Sequence, residues 1–174
     1  MRIFVALQPT PAFRDALASA QDRLRAAGVT GRYLSPSNLH LTLAFIGMWP
    51  EDITGLLLIA QQPFPITLSH LGVFPNAHVL WAGVKPSEAL DSAARQVRQA
   101  LSAAGIPFDQ QDFNPHITLA RKPAVPEHVM LSEIKIPQAT MIVRDLCLYR
   151  SDHGENGMEY TVIGRSRKSD DGPH

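Results

Sequence analysis

The sequence has a single cysteine and no excess of either charge. Cys147 cannot form an internal disulfide, and one thiol excludes a cluster of thiolates around zinc. Because it lies within an apolar run, we expect it to be buried. Sixteen basic residues balance sixteen acidic ones, which argues against an extended polyanion-binding surface. We therefore expect any bound nucleic acid to contact the protein locally.

Long hydrophobic runs and the common cofactor motifs are also missing. The first ten residues contain only five apolar residues between Arg2 and Gln8, too few for a signal peptide or a membrane span. The HExxH, Walker and GxGxxG patterns do not occur. With 45% hydrophobic and 18% charged residues, the composition is typical of a soluble globular domain. We expect a cytoplasmic protein without membrane association, metal or cofactor.

Hydrophobic periodicity and turn residues predict alternating strands and helices. In the first half we predict a strand over 2–7 and a helix over 10–28. A strand over 39–47, a shorter helix over 50–61 and a strand over 64–74 follow.

The same order of elements then begins again. We predict a strand over 78–84, a helix over 87–105 and a strand over 113–121. A helical turn over 126–133 and one long strand over 139–151 follow. A last strand over 158–165 pairs with the long strand through a glycine-containing loop, and residues 166–174 form a disordered tail.

A short motif occurs twice. "NLHLTLAF" covers 38–45 and "NPHITLAR" covers 114–121, with an offset of 76 residues between His40 and His116. The same offset relates Thr42 to Thr118 and brings the two long helices into register. This regularity predicts a duplication. We expect a single domain over 1–165, with halves over about 1–76 and 77–150 related by a pseudo-twofold axis and a closing strand over 158–165.

Strand alternation predicts where the motif side chains point. His40 and Thr42 share one face, and His116 and Thr118 share the equivalent face of the second strand. A pseudo-twofold axis then places the two pairs across one groove. Since the pKa of histidine is about 6.5, one imidazole can accept a proton while the other donates one. Threonine hydroxyls can donate hydrogen bonds to a phosphoryl oxygen, so these groups suffice for a displacement at phosphorus without a metal.

These motifs resemble those of the 2H phosphoesterase superfamily, in particular the RNA 2′,3′-cyclic phosphodiesterases once called 2′–5′ RNA ligases. The similarity includes "RIFVAL", "HLTLAFIG" and "HITLAR" and extends to about Arg165. It implies an α+β, bilobal fold with two antiparallel sheets lining a central groove and helices outside. It also implies hydrolysis of an RNA terminal 2′,3′-cyclic phosphate to a 2′-phosphate, by a monomer that needs no metal, cofactor or obligate protein partner.

The resemblance further implies roles for individual residues. His40 protonates the departing 3′ oxygen as the general acid, and His116 activates water as the general base. Phe45 and Arg121 flank the nucleobase as substrate-binding residues. Strict alternation instead places Phe45 on the core face unless the strand bulges before Gly47, and a solvent-exposed strand end is the alternative for Arg121.

Other functions are compatible with the same residues. The substrate could be a small cyclic phosphate, such as a nucleotide or an ADP-ribose derivative, rather than RNA. The groove could also bind RNA ends without catalysis, and reversal of the acid and base roles would permit ligation. The remaining histidines have no partner at the offset, and we expect them at the surface or locally hydrogen-bonded: His70, His78, His128, His153 and His174.

Overall fold

The computed structural model describes residues 1–58 and 62–166, in which nine strands accompany two long helices. This composition confirms the predicted α+β class. The elements in chain order are β1 (Arg2–Leu7), α1 (Pro11–Ala26), β2 (Thr30–Tyr33), β3 (Leu41–Met48), β4 (Phe64–Phe74), β5 (Val79–Val84), α2 (Glu88–Ala103), β6 (His116–Ala124), β7 (Thr140–Val143), β8 (Cys147–Gly154) and β9 (Gly157–Arg165). Short 3₁₀ turns occur at Pro36–Asn38, Thr54–Leu57 and Leu131–Glu133.

The strands pair antiparallel in the order β7-β4-β5-β6-β3-β1-β8-β9, and β2 pairs with β6. The two motif strands, β3 and β6, are therefore neighbours at the centre. They meet through the single pair Leu41 and Ile117. The expectation of two separate sheets is corrected in this respect, because that pair joins the two sets of strands into one continuous sheet.

The two long helices begin and end in the same way. The Thr10 hydroxyl accepts a hydrogen bond from the N–H of Phe13, and the Ser87 hydroxyl accepts one from Leu90. Each helix is followed by a glycine with positive φ, Gly28 or Gly105, as expected for a helix stop. The equivalent caps are 77 residues apart. The predicted uniform offset of 76 is therefore wrong for the helices, since the loop between helix and motif strand differs by one residue in the two halves.

The two faces of the sheet have different partners. On β1, Ile3, Val5 and Leu7 belong to the main core, which includes the apolar stripes of both helices. The alternate residues Phe4 and Ala6 pack on the opposite face in a smaller cluster with Cys147 and Tyr149. The apolar stripe of α1, Phe13, Leu17, Ala20 and Leu24, is buried, and the predicted burial of Cys147 is confirmed. The helix-free face is left to form the groove.

The predicted helix over 50–61 is corrected by the 3₁₀ turn Thr54–Leu57. The Asp52 carboxylate accepts hydrogen bonds from the backbone N–H and the hydroxyl of Thr54. Such side-chain bonds compete with helical ones, so the helix does not start at Pro50. Residues 59–61 of the prediction lie outside the described residues. Within 126–133, the predicted helical turn is limited to a 3₁₀ turn at Leu131–Glu133.

The single strand predicted over 139–151 is also wrong, because its two parts have different partners. β7 pairs with β4, whereas β8 pairs with β1 and, through the predicted hairpin, with β9. Between them, Leu146 exchanges two 2.8 Å hydrogen bonds with Ser166. Ser166 is thus part of the fold, and the rest of the predicted tail, 167–174, lies outside the described residues. β2 was not predicted. Among the described residues, no helix is long and apolar enough to cross a membrane.

Candidate active site: two histidines in one groove

The two motif histidines are held by the same local hydrogen bond. Nδ1 of His40 lies 2.7 Å from the carbonyl oxygen of Asn38, and Nδ1 of His116 lies 2.7 Å from that of Asn114. A carbonyl oxygen only accepts, so Nδ1 carries the proton in both rings. Each ring then presents Nε2, the nitrogen with the free lone pair, away from its anchor.

Aromatic rings surround His40. Its centroid lies 4.8 Å from that of Phe4, 5.1 Å from Tyr160 and 5.7 Å from Tyr149. Phe4 also stacks on Tyr149 at 5.0 Å with an interplanar angle of 4°. These rings come from β1, β8 and β9, so three strands distant in sequence form one pocket around the histidine.

The Asn38 side chain fastens β9 to this pocket. Its amide nitrogen donates to the carbonyl oxygen of Met158 at 2.8 Å, and its side-chain oxygen accepts from the N–H of Tyr160 at 3.2 Å. The same residue therefore orients His40 through its backbone and positions Tyr160 through its side chain. For Asn114, the described residues include no comparable side-chain bond, and no strand equivalent to β9 follows β4.

Burial makes His40 electrostatically different from an ordinary histidine. It lowers the pKa of His40 to about 4, and the electrostatic effects of Arg121 and His116 act in the same direction, against the opposing effect of the hydrogen bond to Asn38. His40 is therefore neutral at pH 7 in the free protein. Burial likewise raises the pKa of the Tyr149 hydroxyl, so that group stays protonated.

The depressed pKa of His40 predicts a loss of stability in mild acid. Between pH 6.5 and 4 the unfolded chain binds this proton and the folded protein does not, so stability is fully present above about pH 6.5 and lost as the pH falls. We expect His40 to account for up to about 3 kcal/mol of the decrease in unfolding free energy. Urea unfolding at pH 7 and pH 4 measures this decrease in unfolding free energy. His40→Gln is the control, because it lacks the titration of His40. Equal pH dependence in both proteins would contradict the lowered pKa.

His116 lies in a more open place. The Phe74 ring packs edge-on against it at 5.0 Å and 84°. The adjoining cavity has a volume of about 650 Å³ and is lined by His116, Phe74, Phe45 and Thr42 among others. A neighbouring cavity of about 420 Å³ is lined by His40, Arg121 and again by Thr42 and Phe45. The two histidines thus face adjoining parts of one groove.

A β-bulge resolves the conflict over Phe45. On β3, Thr42 pairs with Ala6 and Ala44 pairs with Val5, so Leu43 is an extra residue in the ladder. Leu43 and Ala44 are both buried in the core. After the bulge the alternation is reversed, and Phe45 lies on the groove face beneath the Arg2 guanidinium, which is 5.2 Å from the ring centroid. The core alternative for Phe45 is wrong.

The second motif strand contains the equivalent bulge. On β6, Thr118 pairs with Trp81 and Ala120 pairs with Leu80, which leaves Leu119 as the extra residue. Arg121, the residue after Ala120, consequently lines the cavity of His40 and is exposed. The structure therefore places Arg121 in the groove rather than at a strand end directed only at solvent.

The two threonines differ in their surroundings. Thr42 lines both cavities between the histidines. Thr118 is half-buried and pairs with Trp81, but it is not among the lining residues of either cavity. The structure therefore brings together His40, His116, Thr42, Phe45 and Arg121, with Thr118 at the margin.

Several residues of the groove were not predicted. Phe4, Tyr149 and Tyr160 surround His40, and Arg2 and His153 line its cavity. Only the alternation of β1, which places Phe4 opposite its core residues, could have suggested one of them from sequence. Of the other histidines, His70 packs edge-on against Trp81; His174 lies outside the described residues. Within 1–58 and 62–166, no three His, Cys, Asp or Glu side chains cluster closely enough to hold a metal ion.

The fold and the site define a class of α+β protein in which two carbonyl-anchored histidines lie at the starts of adjacent central strands of an antiparallel sheet. Comparison with known families agrees with this class. The sequence profile of the 2′-5′ RNA ligase superfamily matches residues 13–155. The chain belongs to that superfamily, which confirms the resemblance to the 2H phosphoesterases.

Individual relatives match over nearly the whole chain. The RNA 2′,3′-cyclic phosphodiesterase of Thermus thermophilus is 31% identical, covering 94% of this chain and 88% of the relative. That of Methanothermobacter thermautotrophicus is 28% identical, covering 92% and 95%. The crystal structure of Escherichia coli LigT complexed with 3′-AMP superposes with a TM-score of 0.77 at 28% identity, covering 94% of this chain and 95% of LigT.

Proposed function

We propose that this protein hydrolyses RNA terminal 2′,3′-cyclic phosphates to 2′-phosphates with His40 and His116 as the acid–base pair. The observation that carries this proposal is the identical anchoring of two imidazoles, each at 2.7 Å from a backbone carbonyl, along one groove. Relatives named RNA 2′,3′-cyclic phosphodiesterase cover most of the chain, which supports the same reaction here.

The reaction needs one proton taken up and one released at the reacting atoms. His116 Nε2 accepts a proton from water as the water oxygen attacks phosphorus. The bond from phosphorus to the 3′ oxygen breaks, and His40 Nε2–H protonates that oxygen. The products are a 2′-phosphate and a free 3′ hydroxyl, and the two histidines have exchanged their protonation states. General acid–base groups of this kind contribute about 10²- to 10⁴-fold each.

Hydrogen-bond donors support the charge that grows on the nonbridging phosphoryl oxygens. Thr42 lines the cavities of both histidines, which favours it as a donor to one of these oxygens. We assign the same role to Thr118 by its position on the face of His116, and propose that Arg121 contacts the phosphate or the base. The strain of the five-membered cyclic phosphate lowers the barrier, so the proposal requires no metal.

For His40 to act as the acid, it must gain its proton together with the substrate. In the free protein burial, and to a smaller extent the charge of Arg121, lower the pKa of His40 and disfavour its imidazolium. A phosphate between His40 and Arg121 counteracts both effects, because its negative charge stabilises both cations. The acid role thus predicts proton uptake on anion binding.

Sulfate tests this coupling because it does not titrate near neutral pH. Between pH 5 and 7 we expect the association constant of sulfate to fall as the pH rises. The slope of its logarithm against pH should be steeper by about one unit per pH unit in the wild type than in His40→Gln. Calorimetric titrations at several pH values measure both slopes. Equal slopes would mean that His40 stays neutral with the anion bound and would assign it the base role instead.

Phe45 is proposed as the stacking platform for the nucleobase. Stacking on an aromatic side chain is worth about 1–3 kcal/mol per base, so Phe45→Ala should raise KM for a cyclic-phosphate dinucleotide by about tenfold with little change in kcat. Met48→Ala is the matched control, since Met48 is on the same strand, is 75% exposed and lines neither cavity. An unchanged KM for Phe45→Ala would remove the residue from the substrate site.

The function itself is tested with an oligonucleotide that ends in a 2′,3′-cyclic phosphate, incubated with the protein in EDTA. We expect conversion to the 2′-phosphate product, identified against 2′- and 3′-phosphate standards. A 3′-phosphate product or a need for divalent ions would contradict the mechanism. Binding without turnover would instead indicate a module that binds RNA ends without catalysis. Faster turnover of a cyclic mononucleotide, or of a cyclic phosphate of an ADP-ribose derivative, would indicate the small-molecule alternative.

We also infer that the single domain over 1–165 arose from two copies of one unit, predicted as β-α-β-α-β, that are related by a pseudo-twofold axis. In each copy a 3₁₀ turn takes the place of the second helix. The matching helix caps, the equivalent bulges and the pair Leu41 and Ile117, whose members are 76 residues apart, support this duplication. The pairing of Phe64 with Val143 and of Thr67 with Thr140 supports it as well. The offset of 76 residues relates Phe64 to Thr140 and Thr67 to Val143, so a twofold axis would superpose the two pairs on each other. β9, which has no equivalent in the first half, then accounts for the different surroundings of the two histidines.

A further inference from the structure

Each of the two bulges contains a backbone carbonyl that accepts a hydrogen bond from a helix side chain. These are the carbonyls of Leu43 on β3 and Leu119 on β6, the extra residues of the two motif strands. Both residues are fully buried, and a buried carbonyl requires a hydrogen-bond donor. The Leu119 carbonyl also accepts a bond from the backbone N–H of Leu34 at 2.9 Å, so only the bulge of β3 depends on its helix side chain.

The two donors occupy equivalent positions on the two helices. Arg98 of α2 donates from Nε to the carbonyl of Leu43 at 3.1 Å, and Gln21 of α1 donates from Nε2 to that of Leu119 at 3.0 Å. Like the helix caps, the two residues are 77 positions apart. Each helix therefore reaches the motif strand of the other half.

Gln21 is unusual because its polar side chain is only 2% exposed. Its amide also donates to the carbonyl of Leu34 at 2.8 Å. Arg98 is half-buried and additionally donates to the carbonyl of Gln111 at 2.8 Å. Burying an amide in an apolar core is unfavourable unless it is hydrogen-bonded, so its bonds to Leu34 and Leu119 explain why a polar residue occupies the core-facing stripe of α1.

We propose that Arg98 is a positioning residue that holds the bulge of β3 and thereby keeps Phe45 on the groove face. A bulge inserts one residue, and its loss reverses the face of every residue that follows in the strand. Without the Arg98 donor, the regular ladder that satisfies the Leu43 carbonyl turns Phe45 toward the core and Ala44 toward the groove. The link to substrate binding rests on the proposed function, whereas the link to strand geometry does not.

Thiol labelling tests the strand geometry without any substrate. Phe45→Cys and Ala44→Cys place a thiol on either face, and the native Cys147, 1% exposed, reacts slowly. We expect rapid labelling at position 45 and slow labelling at position 44. Addition of Arg98→Met should reduce the ratio of the two rates at least tenfold. Arg95→Met is the control, since Arg95 is exposed on the same helix and bonds only to Glu88 among the described residues. A ratio unchanged by Arg98→Met overturns the proposal.

Kinetics then connects the bulge of β3 to the substrate. If Arg98 acts through Phe45, Arg98→Met raises KM by about as much as Phe45→Ala, about tenfold, and the double variant is no worse than Phe45→Ala alone. By contrast, the increases in KM caused by Arg98→Met and by Arg121→Met should multiply when the two substitutions are combined. Multiplicative effects for Arg98 with Phe45 would overturn the assignment.

If Phe45→Ala leaves KM unchanged, the substrate role of Phe45 fails, while the labelling ratio still tests the bulge.

Discussion

Replacing either motif histidine by glutamine is expected to lower kcat by about 10²- to 10⁴-fold without unfolding the protein. Glutamine retains an amide that can donate to the carbonyl of Asn38 or Asn114, but it neither accepts nor releases a proton near neutral pH. Because the proposed mechanism uses the two histidines in one displacement, the His40→Gln, His116→Gln double variant should be little slower than the slower single variant.

His128→Gln is the control for these measurements, since His128 is exposed and lies outside both cavities. Single-turnover rates on a cyclic-phosphate oligonucleotide separate the chemical step from product release. A His40→Gln or His116→Gln protein that processes the cyclic end at the wild-type rate would remove that histidine from the mechanism.

Truncating Phe4 is expected to destabilise the fold and change the chemistry of His40 together. Phe4 is 3% exposed, and Phe→Ala substitutions at such sites cost about 3–5 kcal/mol. The cavity also admits water beside the imidazole, so the pKa of His40 should rise from about 4 toward its ordinary value of 6.5.

Phe13→Ala provides the matched control for this prediction. Phe13 is 1% exposed but belongs to the main core on the helix side of the sheet. Urea unfolding should show a similar loss for both variants, and histidine NMR titration should show a pKa change of His40 only for Phe4→Ala. A similar pKa change in Phe13→Ala would mean that loosening the fold anywhere affects His40, and would contradict the local effect of the aromatic rings.

Much of the fold was predictable from local patterns. The strand Phe64–Phe74 matches its prediction at both ends, and the two long helices agree closely with theirs, because apolar periodicity, caps and glycine stops are local signals. β2 was missed because four residues, mostly exposed, carry no apolar alternation. The break between β7 and β8 was missed because it depends on which strands the two segments pair with, and pairing partners are not encoded locally.

The candidate site was predictable only in part, for the same reason. The repeated motif identified His40, His116 and Thr42, and the structure places them along one groove. The aromatic rings around His40 come from three strands, and Tyr160 belongs to a strand with no counterpart in the first half. Gln21 has the sequence signature of an ordinary helix surface residue, and its role becomes visible only when the bulge carbonyl of Leu119 is found beside it.

The difference between the two histidines follows from β9. The two rings have the same anchor, but β9 and the Asn38 side chain close an aromatic pocket over His40. A duplicated motif would otherwise give both histidines the same surroundings, whereas the proposed mechanism uses one as the acid and the other as the base. We therefore regard the closing strand as the element that distinguishes one histidine from the other.

The central claim is that both imidazoles contact one phosphoryl group, and a crystal structure with a bound 2′-phosphorylated nucleotide tests it most directly. We expect Nε2 of His40 and Nε2 of His116 each to lie at about 3 Å from an oxygen of the same phosphate. A phosphate bound to only one of the two rings, with the other directed elsewhere, would contradict it.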